Sequence, residues 1–183
     1  KKYQLNYAAS RPQMYDTVSR KRKAERMIRL LENFLGKNKL KNLTVLDVGS
    51  STGIISRFLA KRFKRVIGID IDSKAIDFAK KTSRRRNVEF RVEDALQLSF
   101  KNNSFDVVIC AHIYEHVPNP HRLFSEIHRV LKPGGVCYFA AINRLWPWEM
   151  HYYLPFLSWL PKNIANIYVR LIRGVEKYYE TPK

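Results

Sequence analysis

The chain has 183 residues, 45% of them hydrophobic, and 34 lysines and arginines against 16 aspartates and glutamates give it a net charge of +18. That length suits one domain with a sizeable core, and the composition suits a globular protein. No run of 18 apolar residues occurs and Lys1-Lys2-Tyr3-Gln4 lacks an apolar signal-peptide core, so neither a transmembrane helix nor an export signal is read, and a cytoplasmic location is expected.

The amino-terminal segment, 1–42, reads as a basic helical unit. Asp16 or Thr17 can cap a helix running to about Leu35, with Gly36 as its stop. Met27, Ile28, Leu30, Leu31, Phe34 and Leu35 form its apolar face. Arg20-Lys21-Arg22-Lys23, Arg26 and Arg29 load the rest with positive charge. Residues 1–41 hold 12 basic and 3 acidic side chains, half of the chain's excess. Such a field favours polyanions, either nucleic acid or an anionic membrane surface, with a solvated basic face as the plain alternative.

Residues 43–143 alternate as a doubly wound, mostly parallel α/β sheet does, with expected strand order 3-2-1-4-5. Strands are predicted at about 44–48, 65–70, 88–92, 105–111 and 136–142, and helices at about 53–62, 73–81 and 120–131. Asn119 and Pro120 mark the start of the last of these helices, and Gly134-Gly135 follow its end. Cys110 and Cys137 each fall in an apolar strand pattern and read as buried thiols in a reducing compartment. Residues 144–183 change character: all three tryptophans crowd into 144–160, Pro155 and Pro161 interrupt the run, and a helix is predicted at about 163–172. This segment reads either as a hydrophobic cap over the sheet edge or as a lid over a greasy acceptor.

The stretch Val45–Gly53 ends its strand in a glycine turn followed at once by a helical pattern, which is how an open α/β sheet builds a ligand site. A dinucleotide fingerprint fails here. Counting from Gly49, the third and sixth positions are Ser51 and Ile54 where glycines are required, so a pyrophosphate would meet a side chain. A ligand without phosphate is less demanding, and Asp70 stands about 20 residues on, at the spacing of a ribose-binding acid.

Together these segments resemble a class I S-adenosylmethionine-dependent methyltransferase. The resemblance rests on Asp47-Val48-Gly49-Ser50-Ser51-Thr52-Gly53, Asp70, Glu93-Asp94-Ala95, Phe105–Ile109 and Leu131-Lys132-Pro133-Gly134-Gly135, in that order. It implies S-adenosylmethionine as cofactor and S-adenosylhomocysteine as product. It assigns cofactor binding to Asp47, Gly49, Ser50, Ser51, Thr52, Gly53, Asp70, Ile71, Asp94, Ala95 and Ala111. Ser51 departs from the family, which usually has glycine there. The family also commonly adds two strands as a closing hairpin, and this sequence shows none. Either the chain is part of a longer polypeptide or the hairpin is lost, leaving strand five as an edge open to self-association.

After strand four comes His112-Ile113-Tyr114-Glu115-His116-Val117-Pro118. His112 and His116 are candidate acid–base groups for a hydroxyl acceptor. His112, Glu115 and His116 could alternatively share a divalent metal, and a structural role is the third reading. Ubiquinone-pathway O-methyltransferases resemble this stretch, with a glutamate in place of His112. The leading expectation is O-methylation of a small apolar or lipid-linked molecule, with peripheral contact to an anionic membrane. A nucleic-acid methyltransferase and a non-catalytic binding module are the alternatives.

Overall fold

The computed structural model describes residues 5–141, 143, 145–149 and 152–178. Two short 3-10 turns, Ala8–Ser10 and Pro12–Met14, precede helix α1, Thr17–Leu35. The Asp16 carboxylate accepts from the N–H groups of Val18 and Ser19, satisfying two donors that a helix start leaves unpaired. Gly36, at φ 93°, ends the helix in a conformation that favours glycine. The core then runs β1 (Thr44–Val48), α2 (Ile54–Leu59), β2 (Arg65–Asp70), α3 (Ser73–Thr82), β3 (Val88–Val92), β4 (Phe105–Ala111), α4 (Pro120–Val130) and β5 (Leu131–Ala140).

These strands form one parallel sheet in the order β3-β2-β1-β4-β5, as the alternation of elements predicts. Side chains alternate across it. Val45, Val66, Val107 and Ile109 face α1, α2 and α3, packing with Met27, Ile28, Leu31, Leu59 and Ile76. Leu46, Val48, Ile67, Ile69, Val108 and Cys110 face α4, packing with Leu123, Ile127 and Val130. Both faces of the central strands are covered, which is why β1, β2 and β4 read as apolar runs.

Boundaries moved where local chemistry overrides periodicity. Helix α2 stops at Leu59 rather than near 62, because Phe63 turns inward to the core. The cap of α3 is Asp72, which accepts from Ala75 N–H, and Ser73 is the first helical residue. Pairing of β5 with β4 begins at Leu131, and the glycine pair lies inside the strand. Ile142, the last residue of the predicted fifth strand, lies outside the described residues, as do Lys1–Gln4 and Tyr179.

Beyond the sheet, β6 (Trp148–Glu149) and β7 (Leu154–Pro155) pair antiparallel as a separate ladder that does not join β5. Helix α5, Lys162–Arg173, closes a small core of Leu154, Leu157, Ala165, Val169 and Tyr178. No helix among the described residues is long and apolar enough to cross a membrane.

Candidate functional site

The glycine turn is shaped by three left-handed residues, Gly49 (φ 74°), Ser51 (φ 50°) and Gly53 (φ 70°). The N–H groups of Gly49 and Ser50 donate to the Ile69 carbonyl, and Ser51 N–H donates to Asp70 Oδ2 at 2.8 Å. Asp70 Oδ1 accepts from Asp72 N–H at 2.9 Å. Both carboxylate oxygens are thereby fixed, yet each keeps a second lone-pair direction for a ligand. Burial pushes the Asp70 carboxyl above its usual pKa, against the pull of the Asp72 and Ser51 donors. At Gly49 a Cβ would lie 2.0 Å from Ile113 Cδ1, so only glycine fits. Ser51 holds a left-handed conformation that costs a non-glycine residue about 1–2 kcal/mol.

A cavity of about 1040 Å³ opens over this turn at the carboxyl ends of the strands. Most of the predicted cofactor residues line it: Asp47, Gly49, Ser50, Ser51, Asp70, Ile71, Asp94, Ala95 and Ala111. Two do not. Thr52 is fully buried and donates its hydroxyl to the Met14 carbonyl, tying the turn to the amino-terminal segment. Gly53 caps α2, and a Cβ there would collide with Phe90 and Ala79, so its glycine serves packing. The Asp94 Oδ1 accepts from Leu96 N–H at 2.8 Å, leaving the other oxygen for a ligand. The hydroxyls of Ser50 and Ser51 are buried with no hydrogen-bond partner, as expected of groups waiting for one.

Asp47 is 5% exposed and accepts from Ser56 Oγ at 2.5 Å. Burial pushes its pKa up to about 6, opposed by the Ser56 hydrogen bond and the nearby Arg20 guanidinium. The amino-terminal segment supplies that cation and the roof. Tyr7, Arg11, Gln13 and Met14 line the cavity with Arg20, Lys23, Arg26 and Met27 of α1. Arg20 Nε donates to the Met14 carbonyl at 3.0 Å. Burial lowers the Arg20 pKa while Asp47 works to raise it, so a desolvated cation and a buried carboxylate face one pocket. Sequence reading assigned Arg20 only to a charged surface. A signal was present: Ala24, Met27, Ile28 and Leu31 are buried, and extending that face one turn back reaches Arg20.

At the far end, Ala111, His112, Ile113, Glu115, His116, Tyr138, Ala140 and Tyr153 complete the lining. His112 is left-handed at φ 58°, and its N–H donates to the Ala140 carbonyl, which pins the loop to β5. Its Nδ1 lies 3.6 Å from Glu115 Oε1, an ion-pair contact too long for a hydrogen bond. His116 sits on the 3-10 turn Tyr114–His116 with its ring 5.4 Å from that of Tyr7. Among the described residues no group of three metal-ligating side chains is placed to hold an ion, so the metal reading of His112, Glu115 and His116, one of three offered for this stretch, gains no support from the geometry. The His116 ring packs against Tyr7, and His112 and His116 both act electrostatically on Glu115, holding its carboxyl below the usual range against burial.

Sheet order, crevice and glycine turn define the class I methyltransferase architecture. The family model described as "Methyltransferase domain" matches residues 46–139, and the chain belongs to that family. Family and fold imply S-adenosylmethionine as cofactor, and the unpartnered serine hydroxyls, Asp47, Asp70 and Arg20 fit its polar ends. Over 107 residues the chain is 36% identical to the ubiquinone biosynthesis O-methyltransferase of Coxiella burnetii, covering 57% of this chain and 46% of that protein. The chain thus spans about half the length of the curated relatives it matches. A solved S-adenosylmethionine-dependent methyltransferase from Methanosarcina mazei aligns at a TM-score of 0.52 and 30% identity, covering 74% of this chain and 64% of that one. The cyclase SpnF aligns at 0.56 and 28%, covering 62% and 43%. One architecture therefore hosts different reactions, and chemistry must be argued from the site.

Proposed function

We propose that the protein methylates a hydroxyl oxygen of a small apolar or lipid-linked acceptor. The observation that carries this reading is a single cavity that joins the glycine turn and Asp70 to His112, His116 and Tyr153. Its volume of about 1040 Å³ sits at the top of the roughly 300–1,000 Å³ typical of one drug-sized ligand, room for a cofactor with a second small molecule beside it. Bound S-adenosylmethionine supplies an electrophilic methyl group on a sulfonium. Arg20 pairs with the carboxylate of its amino-acid end, and Asp47 with the ammonium. The Ser50 and Ser51 hydroxyls complete that cradle. Asp70 accepts from the ribose hydroxyls, Asp94 from the adenine amino group, and Ile71 and Ala95 pack on the base. Holding donor and acceptor in line accounts for much of the acceleration such a site can deliver. With Nδ1 turned to Glu115, His112 offers Nε2 to the acceptor's hydroxyl proton, and His116 borders the same space.

The name of the curated relatives supports oxygen as the methylated atom and a lipid-like acceptor class. So does the exposed surface of the carboxyl-terminal segment. Tyr153 lines the cavity and is itself exposed, as are Trp146, Trp148, Phe156, Trp159 and, on α5, Ile164, Ile167 and Leu171. Arg170 and Arg173 lie on the same helix. Aromatic rings with basic neighbours suit the interface of an anionic bilayer, from which a greasy acceptor would enter. The test is transfer of labelled methyl from S-adenosylmethionine to hydroxyaromatic lipids in anionic vesicles, with bulk RNA as competitor. Label in the lipid fraction supports the reading; label confined to RNA sinks it.

A further inference from the structure

The cavity occupies one end of the sheet, and the other end carries most of the unexplained charge. Residues 37–43, 60–65 and 80–87 lead from α1, α2 and α3 into β1, β2 and β3. Those strands are neighbours, so the three connections lie side by side, with strand spacings of about 4.8 Å beneath them. The structure locks them together. Lys64 N–H donates to the Leu43 carbonyl at 3.0 Å, and Asn87 Nδ2 donates to the carbonyls of Ala60 at 2.8 Å and Phe63 at 3.1 Å.

Together the three segments hold twelve lysines and arginines and no aspartate or glutamate, and all twelve cations are exposed. Among the described residues only one of them, Arg65, has a carboxylate within ion-pair distance, Glu89 at 2.8 Å. Cations at helix C-termini answer the helix dipole, which explains Lys80 and Lys81 in the last turn of α3. The other ten stand beyond the ends of α1, α2 and α3, and of these Arg65 is paired with Glu89. Folding gains nothing from like charges held together on a fixed face, so the face calls for a polyanion.

We propose that this end of the sheet docks the phosphate backbone of a polynucleotide, without sequence preference and apart from the methyl-transfer cavity. A bilayer is the poorer fit. Stable membrane anchoring takes an apolar element besides a polybasic patch. Within these loops Leu40 and Phe63 are buried in the core and Leu43 is half-buried, so the loops themselves offer a bilayer no apolar element, and one ring at their margin, Phe34, is a small anchor. A phosphate backbone needs only the cations. At the margin, Phe34 on the last turn of α1 is 76% exposed and offers an unpaired base a ring to stack on. Single-stranded RNA is therefore the probe of choice.

The experiment measures binding of the full chain to labelled single-stranded RNA by fluorescence anisotropy across a salt series, with anionic vesicles in parallel. The variant R84E/R85E/R86E reverses three exposed loop charges, and K162E/R170E/K177E makes the same change in net charge on the carboxyl-terminal segment. The first should weaken RNA binding at least about tenfold and lower the slope of log affinity against log salt by about 2, at ~0.7 per single-strand phosphate contact. The second should change it less than about twofold, since those three charges lie outside the three loops. R84K/R85K/R86K should retain binding, and affinity for S-adenosylhomocysteine should be the same in all variants. No RNA binding at about 0.1 M salt, equal weakening by both reversals, or loop-dependent binding to vesicles but not RNA would each overturn the proposal.

Discussion

Lowering the pH should weaken cofactor binding through Asp47 before it touches the fold. In the free protein burial pushes this carboxyl up to about 6, against the pull of the Ser56 hydrogen bond and the Arg20 charge. A ligand ammonium seated against it requires the ionised form. At pH 7 about nine-tenths of free molecules are ready for it, and at pH 5 about one-tenth, so the dissociation constant of S-adenosylhomocysteine should rise roughly tenfold. Calorimetry between pH 5 and 7.5 reads this directly. Adenosine, which lacks the amino-acid end, should show no such slope, and Asp47→Asn should flatten the slope for the full ligand. The same variant should behave oppositely in stability. The native pKa lies above the unfolded one, so ionised Asp47 costs the fold nothing below about pH 4 and up to about 3 kcal/mol above pH 6. The Asp47→Asn substitution should therefore raise the apo melting temperature at pH 7.5 and leave it unchanged near pH 4. A flat affinity profile in the wild type, or an unaltered slope in Asp47→Asn, would refute the assignment of Asp47 to the ligand ammonium.

Three further outcomes follow from the same geometry. Gly49→Ala should destabilise by about 2–4 kcal/mol in denaturant unfolding, from the clash with Ile113 and the left-handed backbone, and Ile113→Ala should restore only the clash component. Arg20→Ala should weaken S-adenosylhomocysteine about 10–100-fold, the range of a lost charge-assisted hydrogen bond, without affecting adenosine. His112→Ala should lower kcat about 10²–10⁴-fold in the methyl-transfer assay while the dissociation constant of S-adenosylhomocysteine holds.

The sheet was legible because its signals are local and repeated. Apolar strands of five to seven residues alternate with capped helices, and the cofactor half of the site hangs on strand ends that the pattern locates: Gly49 after β1, Asp70 at the end of β2, Asp94 after β3. What escaped the sequence depends on contacts between distant segments. Thr52 looks like a turn residue facing a ligand until Met14, 38 residues earlier, takes its hydroxyl. Arg20 looks like any member of a basic run until α1 packs and turns it inward. The spacing of His112, Glu115 and His116 suits a helix or a metal, but the chain here forms a short 3-10 turn, and the Tyr7 ring that meets His116 comes from more than 100 residues earlier. The polybasic end of the sheet is invisible as a unit in the sequence, since its three segments are brought together only by the parallel order of β1, β2 and β3.

The central claim is that the crevice above Asp70 holds an adenosyl ligand by its sugar. Calorimetric titration of S-adenosylhomocysteine into the wild type and Asp70→Ala tests it most directly, with thermal unfolding of the variant to establish that it is folded. The account predicts one site per chain in the wild type and an affinity at least about 100-fold weaker in Asp70→Ala, the loss of two charge-assisted hydrogen bonds of about 1.5–3 kcal/mol each. A folded Asp70→Ala that binds as tightly as the wild type, or a wild type that takes up no ligand, would contradict it.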